Sequence, residues 1–418
     1  MDCAKLKADI ERLREVRNAF DEAVAATNDT GLGKIKSNKA MKQALELEDE
    51  ILQTYIEDVG KHNPELFRDF RYGEKIDGFH GDISSTVKLS DNEVLVCGGK
   101  DKKGEMRILR KGEDGLWSYD SNSIDGFDGS TIYSTLRLSD SEVLVCERGF
   151  MGSEMRILRK GEDGSWNYDS NSIDDFDIST IYSTLRLSDS EVLVHGGGYN
   201  GGEACILRKG EDGSWYYDYD SDGIEGFDDV VCSTLKLSDN EVLVCGDDGE
   251  TRILRKGEDG SWNYDDDGID GCNAAVFSTL KLSDNEVLVC GNFAETRILR
   301  KDKDGSWGYD SNGIGGFHGN IFSTLRLSDD EVLVCGGGYP QKSETRILRK
   351  GEDGSWNYDD DNIDGFGSHI FSAMKLSDNE DLVCGRDGET RILHIDSGID
   401  LDKLKQKLPD IAAKKDEA

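Results

Sequence analysis

The chain has 418 residues, 86 acidic and 50 basic, for a net charge of −36. That length allows a large core. The charge excludes nucleic acid and anionic membrane as expected partners, because phosphate recognition needs clustered cations.

The opening MDCAKLKADIERL has no apolar stretch of signal-peptide length, and no run of about 18 apolar residues occurs anywhere. A cytoplasmic protein is therefore expected, with leaderless export left open. Residues 1–66 differ in character from the rest of the chain. Leu6, Ile10, Leu13, Phe20 and Val24 form an amphipathic stripe, broken by NDTGLG from Asn28. A second stripe runs through Ile35, Met41, Leu45, Leu52, Ile56 and Val59. The reading is an α-helical hairpin, serving either as a cap or as a docking or oligomerisation pair.

From residue 67 to residue 396 the chain repeats itself. The aspartate of a Leu-Ser-Asp triplet recurs at Asp91, Asp140, Asp189, Asp239, Asp284, Asp329 and Asp378, spaced by 49, 49, 50, 45, 45 and 49 residues. That period is the length of one four-stranded propeller blade. One unit runs IFSTLRL from Ile321, EVLVCG from Glu331, TRILRK from Thr345 and SWNY from Ser355. Asp-Asp and Asp-Gly turns separate the first pair and the last pair. The second run is apolar on both faces, as a sheet packed between two other sheets requires. The fold expected is mainly β, a seven-bladed propeller of four-stranded blades.

Ring closure is also legible. Six tryptophans, Trp117, Trp166, Trp215, Trp262, Trp307 and Trp356, open six fourth strands, and the seventh unit ends at His394-Ile395-Asp396 without one. The missing strand is expected upstream, where Phe70 to Phe79 parallels Trp117 to Phe127. An N-terminal strand would then complete the last blade and leave no open edge. Residues 397–418 carry Leu401, Leu404, Leu408 and Ile411, a short helix interrupted by Pro409.

Cys97, Cys146, Cys245, Cys290, Cys335 and Cys384 close the same strand in six units, and His195 takes that position in the third. Equivalent positions lie about 10 Å apart in stacked sheets, beyond the roughly 7 Å a disulfide tolerates. They are expected to be buried packing groups.

VLVCGGG at Val332 and the tryptophan opening the fourth strand resemble kelch repeats. The resemblance covers Phe70 to His394. Adjacent glycines survive only in the first, third and sixth units, and ILRK stands where kelch repeats carry a tyrosine. WD-type signatures are absent. The resemblance implies partner binding.

Strand direction sorts the loops onto two faces. Turns after the first and third strands hardly vary. Loops after the second strands vary, and they carry Phe150, Met151, Tyr199, Phe293 and Tyr339, the expected contact residues for a partner. The connectors between blades are acidic. One of them sets Asp218, Asp220, Asp222 and Asp229 at the spacing of a calcium loop, with a weaker copy at Asp265 to Asp270. Asx turns explain the same residues without a metal. His80, Asp128, Asp177, Asp228, Asn273, His318 and Gly367 share a ring position expected near the channel mouth. Arg107, Arg156, Arg252, Arg297, Arg346 and Arg391 repeat once per blade, each expected to pair with a turn carboxylate.

No Ser-His-Asp set, P-loop or HExxH motif occurs, so no enzyme is expected. The expected function is a scaffold for a protein or peptide on the variable-loop face. The alternative is a carbohydrate-binding propeller that uses the same aromatics.

Overall fold

The computed structural model describes residues 68–100, 103–121, 124, 131–148, 153–173, 180–198, 201–217, 223–224, 226–227, 230–265, 267–338, 343–351, 353–359 and 361–396. The expected helical hairpin and C-terminal helix lie outside them. Residues 71–394 form one compact unit, and that unit is a seven-bladed propeller built from seven separate antiparallel sheets. The other unit, Met1–Phe70 with Ile395–Ala418, lies almost wholly outside the described residues.

Each blade follows the four runs read from the repeat. In blade 6 these are Asn320–Arg326, Glu331–Gly337, Glu344–Lys350 and Trp356–Tyr358, hydrogen-bonded in that order. Blade 3 adds a short strand, Gly223–Ile224, along its third strand. The second strands are apolar on both faces and buried, as Val332, Leu333, Val334 and Cys335 illustrate. Successive residues point to opposite faces of a sheet, so each blade fills the seam on either side. Leu288, Cys290 and Ile298 of blade 5, for example, meet Val332, Val334 and Leu348 of blade 6 in one apolar cluster.

Closure occurs as expected. Asp69–Tyr72 pairs with Thr390–Asp396 as the fourth strand of blade 7. Past that strand, Gly73 N donates to Ile392 O at 2.8 Å, Ile76 N to Thr390 O at 2.8 Å, and Arg391 Nη1 to Gly73 O at 2.9 Å. The nine described cysteines are all free thiols, seven of them in second or third strands and fully packed.

The first strand of each blade is innermost, and a belt of hydroxyls stitches these strands together. Ser85 bonds Thr135 at 2.7 Å, Ser134 bonds Thr184 at 2.8 Å, and Ser183 bonds Thr234 at 2.7 Å. Ser233–Thr279 at 2.9 Å, Ser278–Thr324 at 2.8 Å and Ser372–Thr86 at 2.9 Å continue it. At the remaining seam Ala373 replaces the threonine, and its backbone N–H donates to Ser323 Oγ at 3.0 Å. The Ser-Thr pair of the repeat therefore serves the ring, satisfying polar groups at its narrowest circumference.

Farther out, lysines clamp neighbouring blades. Lys111, Lys160, Lys209, Lys256, Lys301 and Lys350 donate to Glu380, Glu93, Glu142, Glu191, Glu241 and Glu286 of the preceding blade, at 2.6–3.2 Å. Each also lies over the tryptophan of its own blade.

Blade 7 departs from this pattern on its blade 6 side. Ile395 stands where the other blades carry the clamping lysine. Asp381 is fully buried in the strand position held elsewhere by Val94, Val143, Val192, Val242, Val287 and Val332. Its charge reaches Cys335 of blade 6, whose thiol burial pushes up and Asp381 raises further.

Candidate binding face

The candidate face starts from a repeated irregularity in the inner strands. In every blade the pairing between first and second strands slips by one residue at the same place, between Ile83 and Ser85 in blade 1 and at its equivalents. A bulge of this kind inserts one unpaired residue and re-aims its side chain. The inserted residues are Ser84, Tyr133, Tyr182, Cys232, Phe277, Phe322 and Phe371.

All seven line a single cavity of about 820 Å³ at the mouth of the channel. Asp82, Gly99, Lys100, Thr131, Arg386 and Asp387 complete its wall. The aromatics touch one another round the arc. Phe277 stacks on Phe322 at 5.3 Å, Phe322 meets Phe371 edge-on at 5.3 Å, and Tyr133 meets Tyr182 edge-on at 5.7 Å. Tyr182 is 40% exposed. Rings that hold each other at a half-buried mouth form an apolar surface already in position for a ligand.

The bulge also explains a glycine. A Cβ at Gly336 would lie 1.9 Å from Asn320 O, the carbonyl just ahead of the bulge. The glycine that ends VLVCG is a close-approach residue there.

Polar groups gather at one side of the mouth, where blades 7 and 1 meet. Lys100 Nζ lies 2.9 Å from Asp387 Oδ1 and holds that carboxyl below the usual aspartate range. Asp82 Oδ1 accepts the Asp387 backbone N–H at 2.9 Å. The lining thus carries two cations and two carboxylates.

Among the five expected contact residues, Phe293 is described, and it sits on this face. It occupies the second-to-third loop of blade 5, in the position Asp387 holds in blade 7. The side chain is 84% exposed, the highest among the exposed large hydrophobics of the described residues. Its backbone lies in the left-handed region at φ 54°, and Ala294 follows at φ 61°. The matching loop of blade 7 uses Asp387 and Gly388 at those two positions, with φ 54° and 70°. Aspartate tolerates that region and glycine is at home in it, whereas a bulky aromatic and an alanine are strained there. Asn320 Oδ1 steadies the loop by accepting the Phe293 N–H at 3.1 Å.

This strain carries an expected outcome. Changing Phe293→Asp together with Ala294→Gly is expected to raise stability by about 1–2 kcal/mol, while weakening partner binding. Chemical denaturation and affinity measured on the same preparation check both halves.

Phe150, Met151, Tyr199 and Tyr339 lie outside the described residues, as do Asp218, Asp220, Asp222 and Asp229 of the expected calcium loop. In its weaker copy, Asp265 is engaged by Arg255, whose Nε lies 2.8 and 2.9 Å from its two carboxylate oxygens. No group of three or more His, Cys, Asp or Glu residues poised to hold a metal occurs among the described residues.

Two expectations change. Among the described residues, the repeated arginines do not pair with the hairpin-turn carboxylates. Their partner is the glutamate two residues earlier, as in Arg107–Glu105 at 2.8 Å, Arg346–Glu344 at 2.7 Å and Arg391–Glu389 at 2.9 Å. Side chains two apart on a strand share a face, which makes this the shorter reach. Next, His80 and His318 do not line the mouth. Third-strand glutamates capture them: Glu105 accepts the His80 N–H at 2.9 Å and Glu344 the His318 N–H at 2.8 Å. Burial works against ionisation of both glutamates, yet the arginine and histidine hydrogen bonds outweigh it and lower their pKa.

The sequence pattern alone did not reveal the aromatic arc. Its signal was present as the residue between a β-branched position and Ser-Thr in IYST, VFST and IFST. Alternation alone sends that residue into a seam, and only the bulge sends it into the channel.

No protein-family model matches the chain, and no curated protein matches it. Solved structures do. The WD40 β-propeller domain of Doa1 is similar with a TM-score of 0.59 at 15% identity, over 78% of this chain and 97% of that one. The C-terminal WD40 domain of Sif2 gives 0.52 at 13%, over 78% and 98%. YCF48, solved bound to D1 peptide, gives 0.55 at 11%, over 78% and 94%. At these identities the likeness shows the β-propeller fold, with no preference for a kelch subtype.

Proposed function

We propose that this propeller is a non-catalytic scaffold that binds a protein or peptide partner on the face of the second-to-third loops. The aromatic mouth is its centre, and Phe293, with Phe150, Met151, Tyr199 and Tyr339, supplies contacts around it. The observation that carries this reading is the row of bulges. Seven blades place an unpaired residue at one level, and five of those residues are aromatic. Packing within the blades does not call for them. Large rigid side chains at a pre-formed concavity are typical binding anchors. The solved complex of YCF48 with D1 peptide is a propeller of similar fold engaged with a peptide, and it supports the same class of partner here.

The test is capture from a lysate by the wild type and by the Phe322→Ser/Phe371→Ser double variant. Loss of an aromatic anchor costs about 2 kcal/mol or more, roughly 30-fold in affinity. The control is Leu116→Ser. Leu116 is 69% exposed in the Gly112–Leu116 turn, on the opposite face. Capture lost in the double variant and kept in the control supports the reading; the reverse pattern overturns it. A glycan array run beside the lysate separates protein from carbohydrate, and binding to glycans alone would replace the proposal.

A further inference from the structure

Resting on the binding face just proposed, we infer that its occupant is an extended, basic peptide segment that places one apolar or aromatic side chain in the channel mouth.

The charge of the face carries the first half. Strand direction puts the blade-to-blade connectors on the same face as the mouth. The stretches 120–130, 169–179, 218–230, 265–274 and 359–368 are rich in carboxylates and contain no lysine or arginine. Where described, the first carboxylate of a stretch is paired, Asp120 with Arg110, Asp169 with Arg159, Asp265 with Arg255 and Asp359 with Arg349 at 2.8–3.0 Å, whereas Asp267, Asp270, Asp361 and Asp364 are exposed. On the other face, by contrast, every Leu-Ser-Asp turn is answered by its own cation. Lys88–Asp91 at 3.0 Å, Arg137–Asp140 at 2.8 Å, Arg186–Asp189 at 2.8 Å and Lys236–Asp239 at 2.9 Å open that series. Lys281–Asp284 at 2.9 Å, Arg326–Asp329 at 2.8 Å and Lys375–Asp378 at 3.0 Å complete it. The opposite face keeps exposed carboxylates of its own in the third-to-fourth turns, such as Asp114 and Asp163, and what distinguishes the mouth face is a rim of exposed carboxylates around an apolar centre. Such a rim attracts cationic partners and repels acidic ones, by steering and by contact.

The apolar centre carries the second half. Within the mouth, Lys100 and Arg386 are balanced by Asp82 and Asp387, so the wall itself gives no net pull on a charged head. What it offers is the arc of Tyr133, Tyr182, Phe277, Phe322 and Phe371, best satisfied by an apolar side chain. An extended segment suits a central depression ringed by charge, because its anchor enters while its flanks lie over the rim. A folded basic surface would have to present a protruding side chain to reach the same rings.

A displayed peptide library tests this whatever the natural partner is. Selection on the wild-type protein, with subtraction on Phe322→Ser/Phe371→Ser, is expected to enrich sequences with an excess of Lys and Arg around one apolar residue. A synthetic peptide from the enriched pool should lose about 10-fold or more in affinity when its apolar residue becomes Ser. It should also weaken steeply as salt rises to about 1 M, where the screening length falls to about 3 Å. The double variant should abolish the preference for the apolar residue and keep the salt dependence. Enrichment of acidic or uncharged sequences, no enrichment over the variant, or salt-independent affinity would overturn the inference. If lysate capture still depends on Phe322 and Phe371 while no basic peptide is enriched, the binding face stands and the basic segment falls.

Discussion

Removing residues 1–73 is expected to collapse the ring. The deletion takes away the fourth strand of blade 7 and leaves Thr390–Asp396 as an open edge. With it go the strand-pairing hydrogen bonds, the Gly73–Ile392 and Arg391–Gly73 bonds, and the Tyr72 hydroxyl contact to Thr345 at 2.8 Å. Tyr72 also packs against Phe366 at 5.6 Å, so apolar surface opens in the last seam. At about 1 kcal/mol net for each hydrogen bond, plus that apolar surface, the loss approaches the roughly 5–15 kcal/mol that typically holds a domain together. An unpaired edge is also a template for pairing with other chains. The truncated protein should therefore melt far below the full chain and associate. A shorter deletion, residues 1–66, keeps the closing strand and isolates its contribution. A monomeric truncation at residue 73 with an unchanged melting temperature would show that closure matters little.

Val94→Asp in blade 1 is expected to destabilise the protein strongly. Val94, Val143, Val192, Val242, Val287 and Val332 hold one strand position, and all six are fully buried. Val94 packs among Leu109, Trp117, Leu376 and Leu382 at the seam between blades 7 and 1. A carboxylate placed there without a partner costs several kcal/mol. The denaturant midpoint of Val94→Asp should fall well below that of Val94→Ala, which loses the same apolar contacts and adds no charge. Equal midpoints for the two variants would show that the seam tolerates a charge.

Most of the architecture was legible because a repeat states its own rules. The period set the blade, the Asp-Gly turns set the hairpins, and the missing seventh tryptophan pointed to the closing strand. Cysteine burial followed from blade spacing alone. The proposed binding centre was not legible in the same way. Ile321 and Phe322 are neighbours in a strand, and alternation assigns them to opposite seams. A register slip of one residue moves Phe322 into the channel, and nothing in the composition of IFST announces a slip. The arginine partners were missed for a related reason: the GEDG carboxylates are prominent in the sequence, whereas Glu105 or Glu344 wins by sitting two residues away on the same strand face. Phe293 was singled out because loops expose their differences. Its strain became visible only beside Asp387 and Gly388, which fill the same turn with the residues that turn prefers.

The central claim is that a partner seats on the aromatic mouth. The most direct measurement is site-specific photo-cross-linking in lysate, with a photoreactive phenylalanine analogue replacing Phe322, Phe293 or, as the opposite-face control, Leu116. Each substitution preserves an aromatic or exposed apolar position and captures a partner of any identity. Adducts to the same protein from positions 322 and 293, with none from 116, are the expected result. Adducts from 116 and none from either position at the mouth would contradict the account.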